Sequence, residues 1–271
     1  MKSKIAAELL LAISVACAGC AAVHTAQNLQ PQDIYVGNWY VPGDIYKIAP
    51  DGKVTTFGSG TGEPEGLAFD RAGNLFVTDS FRGMIDEFTP DGVKTVFATD
   101  VGNCDQLAFD KAGNLYVVAH YEGLIYKFTS DGNRTTFATG LSQPYGLTFN
   151  SAGDLFVSEH LGGTITRIAP DGTKSLFASG LKGPTGMAFD HSGNLFVAEA
   201  DGGDICEIKT SGKKIIFASG LTVPCPIAFD NIGNLIVGEQ DASRVTKIAP
   251  DGTKTLIATG LGHNCSLAIK N

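Results

Sequence analysis

The feature that most constrains this chain is an internal repeat with a period of 40 residues, the distance from Leu67 to Leu107. A fixed period in this range is typical of repeat architectures, in which each unit buries its apolar surface against the next unit. The repeat runs through almost the whole sequence, so we interpret residues 33–271 as one domain. The residues that open each unit are Leu67, Leu107, Leu147, Met187, Ile227 and Leu267.

Each unit contains four short strand patterns separated by turn signals. In the first complete unit the strands are predicted around Gly66–Phe69, Leu75–Val77, the residues before Pro90, and Thr95–Ala98. Asp70 opens the first turn, because Asx residues favour turn starts, and glycine near its end accepts a positive φ. The Pro-Asp-Gly sequence that follows the third strand is typical of a hairpin.

The first and second strands of each unit are apolar at nearly every position, which indicates sheets covered on both faces. Sheets stacked radially around an axis bury both faces and form a β-propeller. The ends of the chain predict closure of the ring. Ile34–Val36 is a second strand without a first, and Ser266–Ile269 is a first strand without a second. Together they complete one blade, so we predict an all-β, six-bladed propeller with four antiparallel strands per blade.

The segment Pro64–Asp79 resembles the NHL-repeat unit, and it is equally similar to repeats of the senescence marker protein/gluconolactonase type and of virginiamycin B lyase-like proteins. This resemblance implies a six-bladed propeller that binds its ligand at one mouth of the central channel. In gluconolactonase-type relatives a Glu, an Asn and an Asp before the first strands hold a divalent cation. Glu65 matches that glutamate, whereas Tyr145 and Thr185 stand where the Asn and Asp are expected. Virginiamycin B lyase-like proteins use His and Glu, which Glu159-His160 matches in part.

Antiparallel order places two kinds of link at one end of the channel: the link before each first strand and the link after each second strand. The column just before the first strand changes in almost every unit, while its neighbours hardly change. Ring closure would bring four of its members into one arc, so we predict a metal site there with Ca²⁺ or Zn²⁺ as cofactor. The four predicted ligands are Glu65, Asp105, Cys225 and Cys265.

A disulfide is the alternative interpretation of the same arc. It would join two of Cys104, Cys225 and Cys265, leaving the carboxylates solvated, since exported cysteines commonly pair. The two remaining members of the column, Tyr145 and Thr185, are predicted to contact a ligand in the channel.

Residues that follow the second strand form the predicted rim of the mouth. The last residue of that strand is acidic in most units, and we interpret this recurring carboxylate as structural. The next positions are aromatic or histidine-bearing in four consecutive units, but small and acidic in the other two, which suits a ligand with an apolar or sugar-like face. Candidate acid–base residues are His120, His160 and Glu159, with two rim histidines of no special role as the alternative. The predicted ligand-binding rim residues are Trp39, Tyr40, Phe81, Arg82 and Tyr121.

The charge and the first residues of the chain limit its partners and its compartment. A formal net charge of −8 without a basic stripe argues against nucleic-acid binding. Lys2 and Lys4 precede an apolar run, Ile5–Val15, so we predict a signal peptide over residues 1–20 and a linker over 21–32. Cleavage after Ala18, or lipidation of Cys20, are both compatible with the sequence. Each reading predicts export, and the second adds a lipid anchor.

These observations predict an exported propeller that binds a small molecule, a glycan or a protein at its channel mouth. The alternative is a divalent-metal-dependent lactonase or esterase of the gluconolactonase type, with a lyase as a further option. Whether the chain is an enzyme stays open at this point, because a fold of this kind hosts many functions.

Overall fold

The computed structural model describes residues 31–40 and 42–270, and only the backbone of Cys265. All regular secondary structure in these residues is β-strand, arranged as six four-stranded antiparallel sheets. The predicted six-bladed propeller is therefore confirmed. None of the described residues belongs to a helix with the length and apolar character that crossing a membrane requires. The signal peptide predicted over residues 1–20, with Cys20, and most of the predicted linker lie outside the described residues.

Blade 1 joins the two ends of the chain, as the orphan strands predicted. The C-terminal strand β24 (Asn264–Ile269) pairs with the N-terminal strand β1 (Ile34–Asn38), and the register aligns Val36 with Leu267. The blade continues outward through β2 (Gly43–Ile48) and β3 (Val54–Thr61).

The other five blades each use four consecutive strands, with the first strand nearest the channel and the fourth at the outer edge. Blade 2 comprises β4 (Pro64–Phe69), β5 (Leu75–Asp79), β6 (Met84–Phe88) and β7 (Lys94–Ala98); blade 3 comprises β8 (Cys104–Phe109), β9 (Leu115–Ala119), β10 (Leu124–Phe128) and β11 (Arg134–Ala138). Blade 4 comprises β12 (Pro144–Phe149), β13 (Leu155–Glu159), β14 (Thr164–Ile168) and β15 (Lys174–Ala178). Blade 5 comprises β16 (Pro184–Phe189), β17 (Leu195–Glu199), β18 (Asp204–Ile208) and β19 (Lys214–Ala218); blade 6 comprises β20 (Pro224–Phe229), β21 (Leu235–Glu239), β22 (Arg244–Ile248) and β23 (Lys254–Thr259).

The turn between the first and second strands is held by an acid–amide pair. In blade 2, Oδ1 of Asp70 accepts the backbone N–H of Asn74 at 2.8 Å, and Oδ2 accepts its side-chain amide at 3.1 Å. In blade 4 the two residue types are exchanged, and Asn150 and Asp154 make the same pair of hydrogen bonds. The exchange preserves the turn, which explains why the repeat tolerates it.

The core consists of apolar layers between neighbouring blades. Phe76 of β5 packs edge-on against Phe97 of its own blade and against Phe109 of blade 3, with ring centroids 5.0 and 5.1 Å apart. Equivalent rings repeat this arrangement in most blades, and burying each contributes about 1.5–3 kcal/mol. The first strands pack in a closed order around the axis, β24 against β4 and β20 against β24. This closed circle of first strands brings the residues that precede each first strand together around the channel axis.

Candidate functional site

The two predicted kinds of link do lie at the same end of the channel, which we call the mouth. In every blade the residue after the second strand donates its N–H to a carbonyl just before the first strand. In blade 3, for example, His120 donates to Asn103 at 2.9 Å, and in blade 1 Trp39 donates to His263 at 3.0 Å. These bonds clamp the rim residues over the column that precedes the first strand.

A β-bulge aims that column at the channel. In blade 2 the pairing of β4 with β5 shifts register between Pro64 and Gly66, so Glu65 between them has no cross-strand partner residue. The same irregularity occurs at the start of the first strand in blades 3 to 6. Bulges re-aim side chains and are common beside functional sites.

Tyr145 and Cys225 show that the column converges on the axis. The Cys225 thiol donates to Oη of Tyr145, with Sγ and Oη 3.1 Å apart. These residues belong to blades 4 and 6, which are not neighbours, so the contact crosses the channel. Burial, together with the carboxylates of Glu65 and Asp105, raises the pKa of the Cys225 thiol to about 12, although the hydrogen bond to Tyr145 lowers it. Both carboxylates therefore lie within electrostatic range of Cys225.

His120 and Asp105 form an oriented pair at the mouth. Nδ1 of His120 lies 3.0 Å from the carbonyl oxygen of Pro144 and 2.8 Å from Oδ2 of Asp105. Since a carbonyl only accepts, Nδ1 carries the proton. The N–H direction favours the carbonyl, so the buried Oδ2 lacks a well-aligned hydrogen bond. At 2.8 Å the carboxylate is nevertheless the stronger electrostatic partner.

The second ring nitrogen of His120, Nε2, has no protein partner in the described residues and can contact a ligand. Nε2 makes no hydrogen bond within the described residues and keeps solvent contact, while the rings of Tyr121 and Tyr145 flank the imidazole at 5.0 and 6.3 Å. Asp105 raises the pKa of His120 against the opposing effect of burial. Burial likewise raises the pKa of Asp105, although His120 lowers it. The contacts of Nδ1 therefore hold one proton on that atom, and the raised pKa makes Nε2 of neutral His120 a stronger base.

The acidic column at the end of the second strands is structural, as its recurrence predicted. In blade 4 the carboxylate of Glu159 accepts the N–H of Ser142 at 2.6 Å and the hydroxyl of Thr166 at 2.5 Å. Equivalent carboxylates in other blades accept a backbone N–H from the same link. They are Asp79 from Gly62, Glu199 from Lys182 and Glu239 from Thr222. Glu159, which the sequence analysis named as a candidate acid–base residue, is therefore buried, and both of its carboxylate oxygens already accept hydrogen bonds from the protein.

Two predicted ligand-binding residues are also held by the scaffold. Arg82 bonds to the carboxylates of Asp79 and Asp86 and donates to the carbonyl of Gly60. The buried hydroxyl of Thr185 donates to the carbonyl oxygen of Pro224 at 3.1 Å. Neither side chain is free to turn toward a ligand without losing these bonds.

The remaining rim residues form an exposed apolar arc on four consecutive blades. Tyr40 is 60% exposed, Phe81 67%, Tyr121 77% and Leu161 71%. Blades 5 and 6 carry Ala200-Asp201 and Gln240-Asp241 at the equivalent positions. This asymmetry, predicted from the sequence, gives the mouth one apolar side. We call the four exposed side chains the apolar arc.

The described members of the predicted metal site, Glu65, Asp105 and Cys225, do not form a group that fits a divalent cation. No group of three or more His, Cys, Asp or Glu side chains in the described residues could hold a metal ion. Asp105 is paired with His120, and the raised pKa of Cys225 opposes the thiolate that a metal needs. The side chain of Cys265 lies outside the described residues. The alternative disulfide fails for Cys104 and Cys225, which are not joined to each other.

Two histidines near the mouth differ from His120. His160 follows β13 at the position equivalent to His120, but its buried Nδ1 has no hydrogen bond, and no contact in the described residues joins the two rings. His263, which the sequence did not single out as a site residue, lies against Trp39 at 5.4 Å between ring centroids. Its Nε2 lies 3.3 Å from Asp241 and its Nδ1 3.0 Å from Gln240. The sequence offered one signal for His263, namely its position two residues before Cys265 of the column that precedes the first strands.

The fold and this mouth define a six-bladed propeller with an oriented histidine beside its channel. Residues 52–259 match the virginiamycin B lyase family, and the chain belongs to that family. The resemblance stated from the repeat is thereby confirmed. No curated protein matches the chain.

Solved structures share the fold at low sequence identity. A catalytically inactive virginiamycin B lyase from Staphylococcus aureus with quinupristin is 19% identical, with a TM-score of 0.66 over 90% of this chain and 94% of that chain. A gluconolactonase from Xanthomonas campestris is 20% identical, with a TM-score of 0.67 over 74% and 77%. A chain of a nidogen/laminin complex is 18% identical, with a TM-score of 0.81 over 89% and 99%.

Proposed function

We propose that this protein binds a small molecule at the mouth and that His120 removes a proton from it in an elimination reaction. The observation that carries the proposal is the orientation of His120, whose Nδ1–H is fixed by Pro144 and Asp105 while Nε2 keeps solvent contact. Membership of the virginiamycin B lyase family supports elimination as the reaction class. The apolar arc offers a surface for an apolar or sugar-like face of the ligand.

The chemistry follows from the protonation state of the pair. Neutral His120 accepts through Nε2 a proton from a carbon next to a carbonyl group, and the electron pair left behind forms a carbon–carbon double bond. The C–O bond of an ester on the neighbouring carbon then breaks and releases a carboxylate. Asp105 stabilises the imidazolium that forms, because it raises the pKa of His120. No water enters the product, which separates this reaction from hydrolysis.

The test uses quinupristin, the compound present with the inactive Staphylococcus aureus relative. The full chain is incubated with it in ¹⁸O-labelled water, and the products are analysed by mass spectrometry. Elimination gives a ring-opened product without added mass, and we expect His120→Gln to reduce the rate by about 10²–10⁴-fold. His191→Gln, at the opposite end of the channel, is the matched control. Incorporation of one ¹⁸O, or full activity of H120Q, would refute the proposal.

A non-catalytic ligand-binding propeller is the second candidate, and the apolar arc is the observation that favours it. Half-buried Trp39 lies beside exposed Tyr40, so its fluorescence reports on a molecule that enters the mouth. Binding of quinupristin without turnover, abolished by Trp39→Ala, would support this candidate over the lyase. A glycan or protein partner would instead give a fluorescence change with that partner and none with quinupristin.

The metal-dependent lactonase is the candidate with the least support. It would require Asp105 to release His120 and Cys225 to lose the proton that it donates to Tyr145. Elemental analysis that finds one Ca²⁺ or Zn²⁺ per chain, with lactone cleavage lost in EDTA, would revive it. Export remains part of the proposal on the basis of residues 1–20, and fractionation of cells that express the full chain and its Cys20→Ser variant would test both export and lipidation.

A further inference from the structure

The end of the channel opposite the mouth carries a deep groove between blades 2 and 3. Its volume is about 870 Å³, which is within the range of small-molecule sites. The floor is apolar and aromatic, and it includes Phe76 flanked edge-on by Phe97 and Phe109. Glu87 and Asp70 line the same groove. We call this space the blade 2–3 groove.

The repeat provides an internal comparison for this groove. In five of the six blades a residue of the third strand pairs directly across from an aromatic ring of the second strand. In blade 1, Lys47 is aligned with Tyr35 and its Nζ lies 5.9 Å from the ring centroid; in blade 3, Lys127 is aligned with Tyr116 at 5.4 Å. These distances are those of cation–π contacts. The chain thus places its own cation over the ring in these blades.

Basic residues occupy the same register position in two further blades. Arg167 is aligned with Phe156 in blade 4, and it pairs with Asp154 at 2.8 Å. In blade 6, Lys247 is aligned with Ile236. A second groove, between blades 4 and 5, has a volume of about 560 Å³ and is lined by Arg167 among others. In that groove the residue aligned with the ring is therefore itself a cation.

Blades 2 and 5 carry glutamate at this position instead. Glu207 of blade 5 is neutralised by Lys209, two residues further on. In blade 2, Glu87 is aligned with Phe76, and the position that corresponds to Lys209 is Thr89. Blade 2 therefore has the ring and the carboxylate but lacks the cation that every comparable blade supplies.

The charges that face Glu87 reinforce this imbalance. Burial raises the pKa of Glu87, and the nearby Asp70 raises it further. The groove also contains Asp110, Arg71 and Lys270. Nζ of Lys270 stands over Phe69 at 5.9 Å rather than over Phe76, and Arg71 donates to the carbonyl of Lys111. Neither cation forms an ion pair with Glu87 in the described residues.

We propose that the blade 2–3 groove binds an organic ammonium compound, with the cationic nitrogen between Phe76 and the carboxylates of Glu87 and Asp70 and an apolar arm along Phe97 and Phe109. The ligand would supply the charge that Lys47 and Lys127 supply in their own blades. Aromatic rings beside carboxylates are the usual recognition elements for such cations. This site lies at the opposite end of the channel from His120 and does not depend on the reaction proposed there.

The test titrates the full chain, uniformly labelled with ¹⁵N, with 2-phenylethylamine and with its neutral analogue 2-phenylethanol. We expect the amine to cause saturable NMR shifts centred on β5 and β6, and the alcohol to bind roughly tenfold more weakly, because one buried charge contact is lost. Glu87→Lys would recreate the internal cation of blade 3 and should abolish amine binding. Glu207→Lys, at the matched position where Lys209 already supplies the charge, should leave it unchanged.

Several outcomes would overturn the proposal. They are the absence of shifts with the amine, equal affinities for amine and alcohol, unchanged amine binding in Glu87→Lys, and shifts centred on the mouth. Glu87→Lys should fold, because lysine stands at this position in three other blades, and Glu87→Gln provides a second variant if it does not. His120→Gln should not alter amine binding, which separates this result from the fate of the proposed reaction.

Discussion

Asp105→Asn tests the electrostatics on which the proposed chemistry depends. The carboxylate oxygen lies 2.8 Å from Nδ1 of His120, and both groups are largely buried. An opposite charge at this distance shifts a pKa by about 1–3 units. Because the imidazole keeps solvent contact, we take the lower part of this range and expect a decrease of about 1–2 units in the pKa of His120, or about 1.4–2.7 kcal/mol. The amide still offers an oxygen to Nδ1–H, so the variant removes charge and preserves shape.

The assay is an NMR titration of the imidazole Cε1–H signals, with His120→Gln used to assign the signal. In the wild type the pKa of His120 should lie above 6.5, and in Asp105→Asn it should be lower, because the largest contribution that raises it is removed while burial still lowers it. The raised pKa values of His120 and Asp105 both favour proton uptake on folding. Stability from them is full below their unfolded-state pKa values and is lost as pH rises through the folded-state values.

Measurements of unfolding free energy against pH check the same reasoning. Wild-type stability should fall as pH rises through the unfolded- and folded-state pKa values of His120 and Asp105, and this slope should become shallower in Asp105→Asn. A His120 pKa that moves by less than about 0.3 units would show that the carbonyl of Pro144, not Asp105, controls the imidazole.

Two further predictions concern the scaffold. Glu239→Gln should destabilise the protein by about 2 kcal/mol in urea unfolding at pH 7, because it weakens the contacts with Arg244 and Thr246. Although burial would raise it, these hydrogen bonds lower the pKa of Glu239, so the loss should vanish as pH falls through the folded-state pKa; a loss that persists at pH 2 would contradict the ion-pair explanation. Cys104, Cys206 and Cys225 should resist a thiol reagent at pH 8 in the folded protein and react in urea, because burial raises the pKa of each thiol; rapid labelling of any of them in a mass spectrum of the native protein would show the burial to be wrong.

The fold could be predicted from the sequence because the same pattern of strands and turns recurs for each of the six sheets. Turn pairs such as Asp70 with Asn74, and the apolar columns between them, recur at one period, and the orphan strands around Val36 and Leu267 dictate closure. The exposed arc was predictable for the same reason, since Phe81 and Tyr121 stand at equivalent positions of a column whose direction the strand order fixes.

The interior of the channel was only partly predictable. The column before the first strands was correctly expected to converge, but its partners depend on side-chain length and direction. Tyr145 reaches across the axis to Cys225, and His120 turns its Nδ1 to Asp105. A period of 40 residues aligns equivalent positions; it does not say which side chains from different blades meet. For this reason the sequence could not show that two donors of the predicted metal site, Asp105 and Cys225, already have protein partners.

Exceptions to the repeat are more informative about function than the repeat itself. Where a column is structural, each member forms hydrogen bonds within its own blade, as Glu159 does. Substitution at such a position should lower the stability of the protein by a similar amount in every blade. Ala119 interrupts the acidic column directly before His120, and Glu87 interrupts the basic column across from Phe76 without the nearby lysine that Glu207 has in blade 5. Both exceptions lie in blades 2 and 3, at opposite ends of the channel. At each position the chain lacks a side chain that forms hydrogen bonds or balances charge in other blades. A molecule from outside the chain can then supply the missing partner.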